Sequence, residues 1–383
     1  MFQQSFLVAI ILLSSCASAQ TFSACNPLHT ANCPPDPALG KSINVNFSNG
    51  PEAAFVASGS PTYDTNGVHF SVANSGDAPQ LTSKFYIMFG KVSINLKSAP
   101  GAGIVSSIVL QSDDLDEIDI ELLGADDSQM QTNYFGKGNT GTYNRGAINP
   151  TANNQDEFLT YTIEWTPNQI TWAVDGRVAR VLTPDTAQKN QYPQTPMQVK
   201  FGVWSAGDPS NSAGTIDWAR GPTDYSKAPF TMSVKSISVT DYSTGTQYKY
   251  GDSSGSWGSI VADGGKIYGN SAGAGGRVAS ADMPSVTSAP PSIPQGLGKD
   301  HNSTSTMTEW PWVATTTTSA ISQATTHVDG LPDGWTVNPS GKVVPSDSAA
   351  DTLSQKSSSP PSLDLDSRYD EQDVDKFNIT FEA

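Results

Sequence analysis

Short runs of alternating apolar and polar residues, separated by turn-forming residues, dominate the chain from residue 43 to about residue 250. Alternation with a period of two is typical of strands that bury one face. We find no convincing amphipathic helix of ten or more residues among these runs, and many short strands without intervening helices indicate an antiparallel sandwich or barrel. The clearest predicted strands are residues 68–72, 85–89, 91–96, 161–165, 170–174 and 232–239. Turns are predicted at residues 166–169 and at Asp175–Gly176.

The strictest alternation lies in residues 116–124. Three carboxylates on one predicted face alternate with three apolar residues on the other: Glu117, Asp119 and Glu121 against Ile118, Ile120 and Leu122. Like-charge repulsion and weak strand propensity both oppose such a row of acids, so a chain that contains it is expected to use it. The alternative is an ordinary edge strand with an acidic face toward solvent.

The residues around this strand favour a site for chemistry. A second predicted strand at residues 131–135 carries amide and phenol groups, and several tryptophans offer flat apolar surfaces on which sugar rings can stack. The alternative for each tryptophan is a place in the core, which we expect at least for Trp172. The aromatic residues in question are Trp165, Trp172, Trp204 and Trp218.

Glu117 and Glu121 have the residue type that glycosidases use. A retaining glycosidase needs two carboxyl groups about 5–5.5 Å apart, one as nucleophile and one as general acid and base. Residues four apart on a flat strand are separated by roughly 13 Å along the backbone, so the two long side chains must lean together. Asp119 projects between them and can hold one carboxylate in place. Neighbouring carboxylates raise one another's pKa, which can keep one of them protonated near neutral pH.

The ends of the chain differ in composition from its middle. We expect residues 1–19 to be a signal peptide, because a short apolar run precedes Ala17-Ser18-Ala19, and residues 20–270 to form the catalytic domain. Residues 271–383 are rich in Ser, Thr and Pro and are expected to be a disordered tail, interrupted by an apolar island at 331–345 of no evident physical purpose. We see no evident glycolipid-anchor signal and expect a secreted, soluble protein.

Charge and cysteine content restrict the partners. A net charge of −16, from 21 basic and 37 acidic residues, makes nucleic acid and anionic membranes poor partners but suits neutral polysaccharides. After loss of Cys16 with the signal peptide, Cys25 and Cys33 are expected to form a disulfide; a metal site is the weaker alternative, because His29 alone lies between them. We predict no metal, no cofactor and a monomer. Glycosylation sequons begin at Asn46, Asn302 and Asn378.

The pattern Glu117-x-Asp119-x-Glu121 resembles glycoside hydrolase family 16, and more narrowly the fungal Crh-type wall transglycosylases. Four stretches carry this resemblance: residues 25–34, residues 116–124, residues 131–138 with 143–146, and residues 204–218. The resemblance implies a β-jelly-roll with a concave sugar-binding cleft, Glu117 as nucleophile, Glu121 as general acid/base and Asp119 as assisting carboxylate. It also implies a set of cleft residues, for which ordinary loop structure is the alternative: Trp204, Asp208, Thr215, Trp218, Tyr134 and Arg145.

By the same resemblance, the protein is expected to cleave chitin-type β-1,4 chains, to join them to β-glucan or chitin, and to act in a fungal cell wall. Two other functions stay open. One is a plain endo-β-glucanase, in which water rather than an acceptor sugar completes the reaction. The other is a non-catalytic wall-binding structural protein, against which the intact row of three acids argues.

Overall fold

The computed structural model describes residues 23–139, 144–270, 335–337 and 343–345. In chain order the first ten strands are β1 (Asp36–Pro37), β2 (Ser42–Asn46), β3 (Phe55–Ser58), β4 (Thr62–Asp64), β5 (Gly67–Val72), β6 (Gln80–Ile87), β7 (Gly90–Lys97), β8 (Ile104–Ser112), β9 (Glu117–Leu123) and β10 (Gln129–Phe135). The others are β11 (Ala147–Pro150), β12 (Leu159–Trp165), β13 (Ile170–Val174), β14 (Arg177–Leu182), β15 (Met197–Ser205), β16 (Phe230–Asp241), β17 (Gln247–Tyr250), β18 (Ile260–Asp263), β19 (Trp335–Val337) and β20 (Val343–Pro345). The helical elements are α1 (Ala213–Trp218) and the 3-10 turns Phe47–Asn49, Tyr225–Lys227 and Trp257–Ser259.

Two large antiparallel sheets form the body of the fold. One has seven strands in the order β11-β10-β9-β8-β15-β6-β3. The other follows the order β14-β13-β12-β7-β16-β5-β4, and β2 pairs with β16 beside this path. A small sheet of β1, β17 and β18 completes this part of the chain, and β19 pairs with β20 as a separate two-stranded sheet. The two-sheet antiparallel sandwich predicted from the alternation is confirmed.

The apolar faces of the two large sheets share one core. Ile118, Ile120 and Leu122 of β9 enter this core together with Trp165 and Trp172 from the opposite sheet. Trp172 is fully buried, which confirms its predicted core position. Since alternate residues of a strand point to opposite faces, burying these apolar residues turns the acids of β9 to the other side of the seven-stranded sheet.

The predicted turns lie where the sequence indicated them. Asp175 and Gly176 have φ values of 46° and 78° and join β13 to β14, because the tight turn between right-twisted strands requires positive φ at both positions. Before β13, the Thr166 hydroxyl accepts hydrogen bonds from the backbone N–H groups of Asn168 and Gln169. The predicted strand at 85–89 is corrected at its end: β6 stops at Ile87, and the chain turns before β7 begins at Gly90.

The disulfide between Cys25 and Cys33 is present, with Cα atoms 5.6 Å apart. Asn46 is exposed at the end of β2, and its side-chain oxygen accepts hydrogen bonds from the Ser48 backbone and hydroxyl. The predicted signal peptide and the sequons at Asn302 and Asn378 lie outside the described residues, as does the tail apart from β19 and β20. Those two strands pair within the apolar island for which the sequence offered no purpose.

Trp172→Phe is expected to lower the free energy of unfolding by about 1–3 kcal/mol, because the buried Trp172 indole N–H donates to the backbone oxygen of Asp119 at 3.0 Å and the variant loses this buried hydrogen bond and part of the ring's packing. Urea unfolding followed by fluorescence measures the change. Trp257→Phe is the matched control, since Trp257 is 42 % exposed, and it should alter stability far less. Equal losses in the two variants would contradict the prediction.

Candidate active site

The β8–β9 hairpin determines which polar side chains surround the three acids. Its register places Gln111 opposite Glu117 and Ser107 opposite Glu121. The Gln111 amide nitrogen donates to the Glu117 carboxylate at 3.1 Å. All three acids therefore share one side of the seven-stranded sheet with polar neighbours, and we call this side the carboxylate face.

The other neighbours of β9 continue this face on both sides. In β10, Gln131 lies opposite Glu121 and Phe135 opposite Glu117. In β15, which pairs with the far side of β8, Lys200 and Trp204 occupy the same face. The Lys200 ammonium donates to the Gln111 side-chain oxygen at 2.7 Å. The carboxylate face thus combines acids, amides, one ammonium group and aromatic rings, which are groups suited to a polar ligand with flat apolar surfaces.

Burial and mutual repulsion set the protonation of the acids. The three carboxylates are each 2 % exposed or less. Burial, with the charge of Glu117 as the second cause, raises the pKa of Glu121 to about 8 against an opposing hydrogen bond from Ser107. Burial and the charges of Glu121 and Glu117 hold the pKa of Asp119 well above its usual range. Glu121 is therefore mainly protonated at neutral pH and can donate a proton.

Groups from the opposite sheet support β9 from the core side. Trp172 donates its indole N–H to the Asp119 backbone oxygen at 3.0 Å. Arg180 lies over the Trp172 ring at 4.8 Å and donates to the Thr132 backbone oxygen at 2.7 Å. The charge of Arg180 opposes the rise in the pKa of Asp119. The fold therefore supports the middle acid with a fixed backbone and a nearby cation.

Trp204 and Trp218 stack at the end of the carboxylate face, with ring centroids 6.3 Å apart and planes inclined by 27°. Trp204 is 3 % exposed and donates to the Ser107 hydroxyl at 3.2 Å. Trp218 is half-buried and donates to the Gln131 side-chain oxygen at 2.9 Å. Both predicted residues thus come close to the acids, but Trp218 presents the accessible ring and Trp204 supports it from below.

Asp208 and Thr215 shape the loop that carries Trp218. Burial raises the pKa of Asp208, but hydrogen bonds from Ser210, Ser75 and Tyr225 outweigh it and lower the pKa to about 2. The Thr215 hydroxyl bonds with that of Ser212, the residue that precedes α1. The hydrogen bonds that Asp208 and Thr215 make within the protein agree with the alternative that both residues serve loop structure. Contact with a sugar stays a prediction for both residues.

Tyr134 does not lie on the carboxylate face. It pairs with Ile118, so its side chain enters the core between the sheets, where its hydroxyl accepts a hydrogen bond from the Gln188 backbone. Its prediction as a cleft residue is wrong because the period of two puts residues 132 and 134 on the opposite side from 131, 133 and 135. The composition of residues 131–135 makes the whole strand look polar, and only the period of two separates its two faces.

Arg145 fastens a loop beside the acids. Its guanidinium is 4.5 Å from the centre of the Phe135 ring, and it donates to the backbone oxygen of Asn139 at 2.7 Å and to the side chain of Gln188 at 3.0 Å. It is 3 % exposed. These contacts give Arg145 a structural role beside Phe135, and its contact with a sugar stays a prediction.

Three polar residues of the carboxylate face are absent from the sequence-based predictions: Ser107, Gln111 and Lys200. Two of these had a usable signal, because a hairpin that turns at residues 113–116 places 107 opposite 121 and 111 opposite 117. Lys200 gave no comparable signal, since it meets Gln111 across 89 residues of sequence.

Two buried glutamates on one face of an antiparallel β-sandwich, beside a platform of aromatic rings, are the features of a glycosidase-type enzyme that works with two catalytic carboxyl groups. The model of glycosyl hydrolases family 16 matches residues 49–220. Crh-like protein 4 of Botryotinia fuckeliana is 59 % identical over 348 residues, which cover 90 % of this chain and 92 % of that protein. Crh-like protein 4 of Aspergillus fumigatus is 54 % identical over 361 residues, covering 92 % and 78 % of the two chains.

Among solved structures, a Crh5 transglycosylase in complex with NAG is 48 % identical, has a TM-score of 0.61, and matches over 62 % of this chain and 100 % of its own. This chain belongs to the Crh-like proteins of glycosyl hydrolase family 16. The family predicted from Glu117-x-Asp119-x-Glu121 is therefore confirmed, as is the β-jelly-roll expected with it. None of the helices in the described part of the chain has the length and apolar character needed to cross a membrane.

The free energy of unfolding is expected to fall as the pH rises from about 5 to about 8. Folding raises the pKa of Glu121 from 4.5 to about 8, and it raises that of Asp116, mainly by burial, from 3.8 to about 7. The stability contributed by a group with a raised pKa is fully present at pH values below its pKa in the unfolded state. It is lost as the pH rises through its pKa in the folded state. The free energy of unfolding should therefore decrease, on the order of a few kcal/mol.

Urea unfolding at pH 5, 6.5 and 8 measures this slope. Glu121→Gln should make the dependence of the free energy of unfolding on pH less steep, because the variant has no proton to lose at residue 121. Asp185→Asn, on the surface, should keep the wild-type slope. A stability that increases steadily from pH 5 to pH 8 would contradict the assignment of raised pKa values to these buried acids.

Proposed function

We propose that this protein is a retaining transglycosylase that cleaves chitin-type β-1,4 chains and transfers the donor fragment to β-glucan or chitin in a fungal cell wall. The observation that carries the proposal is the buried pair Glu117 and Glu121 on one face of β9, in which the charge of one helps to keep the other protonated. The relative solved with NAG supports the substrate class, since N-acetylglucosamine is the repeating unit of chitin.

In the first step a carboxylate oxygen of Glu117 attacks the anomeric carbon of the donor sugar, and the glycosidic bond breaks. The leaving oxygen takes the proton of Glu121, which is available at neutral pH because its pKa is about 8. The product is a glycosyl ester on Glu117 and a free chain end. Asp119 lies between the two glutamates, burial and their charges raise its pKa, and it acts as the assisting group.

The second step uses the same two residues in reversed roles. Esterification removes the charge of Glu117, which is one cause of the raised pKa of Glu121. The pKa of Glu121 therefore falls, and its ionised form is favoured. Glu121 then takes the proton of an acceptor hydroxyl as its oxygen attacks the anomeric carbon. The ester bond breaks, Glu117 regains its charge, and a new glycosidic bond replaces the old one.

The second function that this chemistry allows is an endo-β-glucanase, in which water replaces the acceptor sugar in the second step. The stacked Trp204–Trp218 pair favours transfer, because an accessible ring beside the acids offers a sugar acceptor an apolar surface that water cannot use.

We further propose that residues 20–270 form the catalytic domain, which acts as a monomer on wall polysaccharides after secretion and removal of residues 1–19. The described sheets of this region end at Asp263 in β18, which supports this boundary.

Glu117→Gln should abolish both cleavage and transfer, because the amide cannot form the glycosyl ester. Incubation with chitin oligomers and a fluorescent β-1,3-glucan acceptor, followed by mass spectrometry of the products, measures both activities. Glu121→Gln should slow the reaction by about 10²–10⁴-fold and should recover the first step with a donor whose leaving group needs no proton. Glu157→Gln, on the surface, is the control.

Each result of this assay has a defined meaning. Labelled hybrid chains from the wild-type protein support the transglycosylase. Reducing ends without hybrids would replace it with the hydrolase, and absence of both products, or full activity of Glu117→Gln, would overturn the two-carboxylate mechanism.

Trp218→Ala is expected to raise KM for chitin oligomers about tenfold, which corresponds to about 1.4 kcal/mol of lost contact, while the melting temperature changes little. The reason is that Trp218 is half-buried and offers its ring beside the acids. Steady-state kinetics and thermal unfolding of the variant measure both quantities, with Trp257→Ala as the control for loss of an exposed indole. A large fall in melting temperature with an unchanged KM would show that Trp218 is part of the core instead.

A further inference from the structure

Lys200 is a partly buried cation that is linked by hydrogen bonds to the proposed nucleophile, Glu117. It lies in β15 on the carboxylate face, where it is partly buried and pairs with Val109 of β8. Its ammonium group donates to the Gln111 side-chain oxygen at 2.7 Å, and the Gln111 amide nitrogen donates to Glu117 at 3.1 Å. The three side chains thus form one continuous hydrogen-bonded chain across the sheet.

Lys200 fixes the orientation of the Gln111 amide. An ammonium group can only donate hydrogen bonds, so the oxygen of the amide must face Lys200. The NH2 group of the amide must then face Glu117, where it can donate only to an acceptor. This arrangement favours the ionised carboxylate, since both of its oxygens accept hydrogen bonds.

The charges of Lys200 and Glu117 also interact. Burial lowers the pKa of Lys200 to about 8, and the charge of Glu117 acts in the opposite direction. A pairwise interaction is reciprocal, so the cation must favour the ionised form of Glu117 by the same free energy with which Glu117 favours the cation.

Among the described residues of the carboxylate face, Lys200 is a cation whose hydrogen bonds lead through Gln111 to Glu117. The strand of Glu117 also carries Asp119 and Glu121, which are acids. Just before this strand lies Asp116, whose carboxylate accepts hydrogen bonds from the backbones of Lys137 and Gln194. The nearest residues of the neighbouring strands are uncharged: Gln111 in β8, Phe135 in β10 and, opposite Lys200, Thr82 in β6. On the core side Arg180 acts on Asp119.

We infer that Lys200 is a positioning residue that acts through Gln111 to keep Glu117 ionised and correctly oriented beside the two other acids of β9. The inference rests on the proposed role of Glu117 as nucleophile. This role of Lys200 explains how three adjacent carboxyl groups can differ in protonation. Burial and like charges act on Asp119 and Glu121, whereas Glu117 accepts a hydrogen bond from an amide whose orientation is fixed by a cation. Without Lys200, Glu117 would compete with Glu121 for the same proton.

Lys200→Met tests this role because methionine keeps much of the side-chain volume without charge or donor. The acid limb of the pH profile of kcat/KM for chitin oligomers should move upward by about one unit, and kcat/KM at pH 5 should fall about tenfold. Lys200→Arg should restore most of the wild-type profile, because it keeps a cationic donor. Lys227→Met, whose side chain is 74 % exposed, is the control and should leave the profile unchanged.

Gln111→Met provides a second test that does not depend on Lys200→Met. It should move the acid limb in the same direction, and the double variant should shift it little beyond the larger single effect, because both residues act along one path. Folding of each variant is verified by circular dichroism and thermal unfolding.

The results separate this inference from the proposed function. An unshifted acid limb in folded Lys200→Met or Gln111→Met, together with an inactive Glu117→Gln, would overturn the role of Lys200 alone. Full activity of Glu117→Gln would overturn the proposed mechanism as well. A uniform fall in kcat/KM at all pH values, without rescue by Lys200→Arg, would show that Lys200 is merely structural.

Discussion

The constraint on which this structure depends is the repulsion among three carboxyl groups that one short strand places side by side in a buried setting. Glu117, Asp119 and Glu121 are each 2 % exposed or less, so water cannot solvate three charges there. The electrostatic solution is unequal protonation. Burial and mutual charge raise the pKa of Asp119 and of Glu121, and this inequality creates a proton donor beside a possible nucleophile.

The residues that surround β9 hold its three acids in fixed and different environments, which maintains their unequal protonation. From below, the Trp172 indole holds the Asp119 backbone in place, and Arg180 supplies a positive charge on the core side. From the side, the β8 register brings one amide to Glu117 and one hydroxyl to Glu121. Glu117 and Glu121 have the same side chain and lie on the same face of one strand. They can take different roles because their hydrogen-bond partners differ.

Local sequence information was sufficient for β9 but not for its surroundings. The period of two in residues 116–124 predicted both the buried and the acidic face, and the turn at Asp175–Gly176 followed from the backbone preferences of those residues. Tyr134 was misplaced because composition was read without the face on which each residue falls. Lys200 was missed for a different reason: its contact with Gln111 depends on how β15 pairs with β8, which is a long-range register that short patterns do not encode.

The same distinction between local and long-range information applies to substrate contact. The acids come from one strand, but the stacked Trp204 and Trp218 come from β15 and from the short helix α1, which the Ser212 cap begins. Trp204 is enclosed and bonds to Ser107, the hydroxyl that also contacts Glu121, so the aromatic platform and the proton donor share one supporting residue. In the proposed mechanism, a sugar ring stacked on Trp218 would be aligned with Glu121 through these contacts. Water would have no ring to stack there and would gain nothing from this alignment, which is the physical reason that we propose transfer to a sugar over hydrolysis.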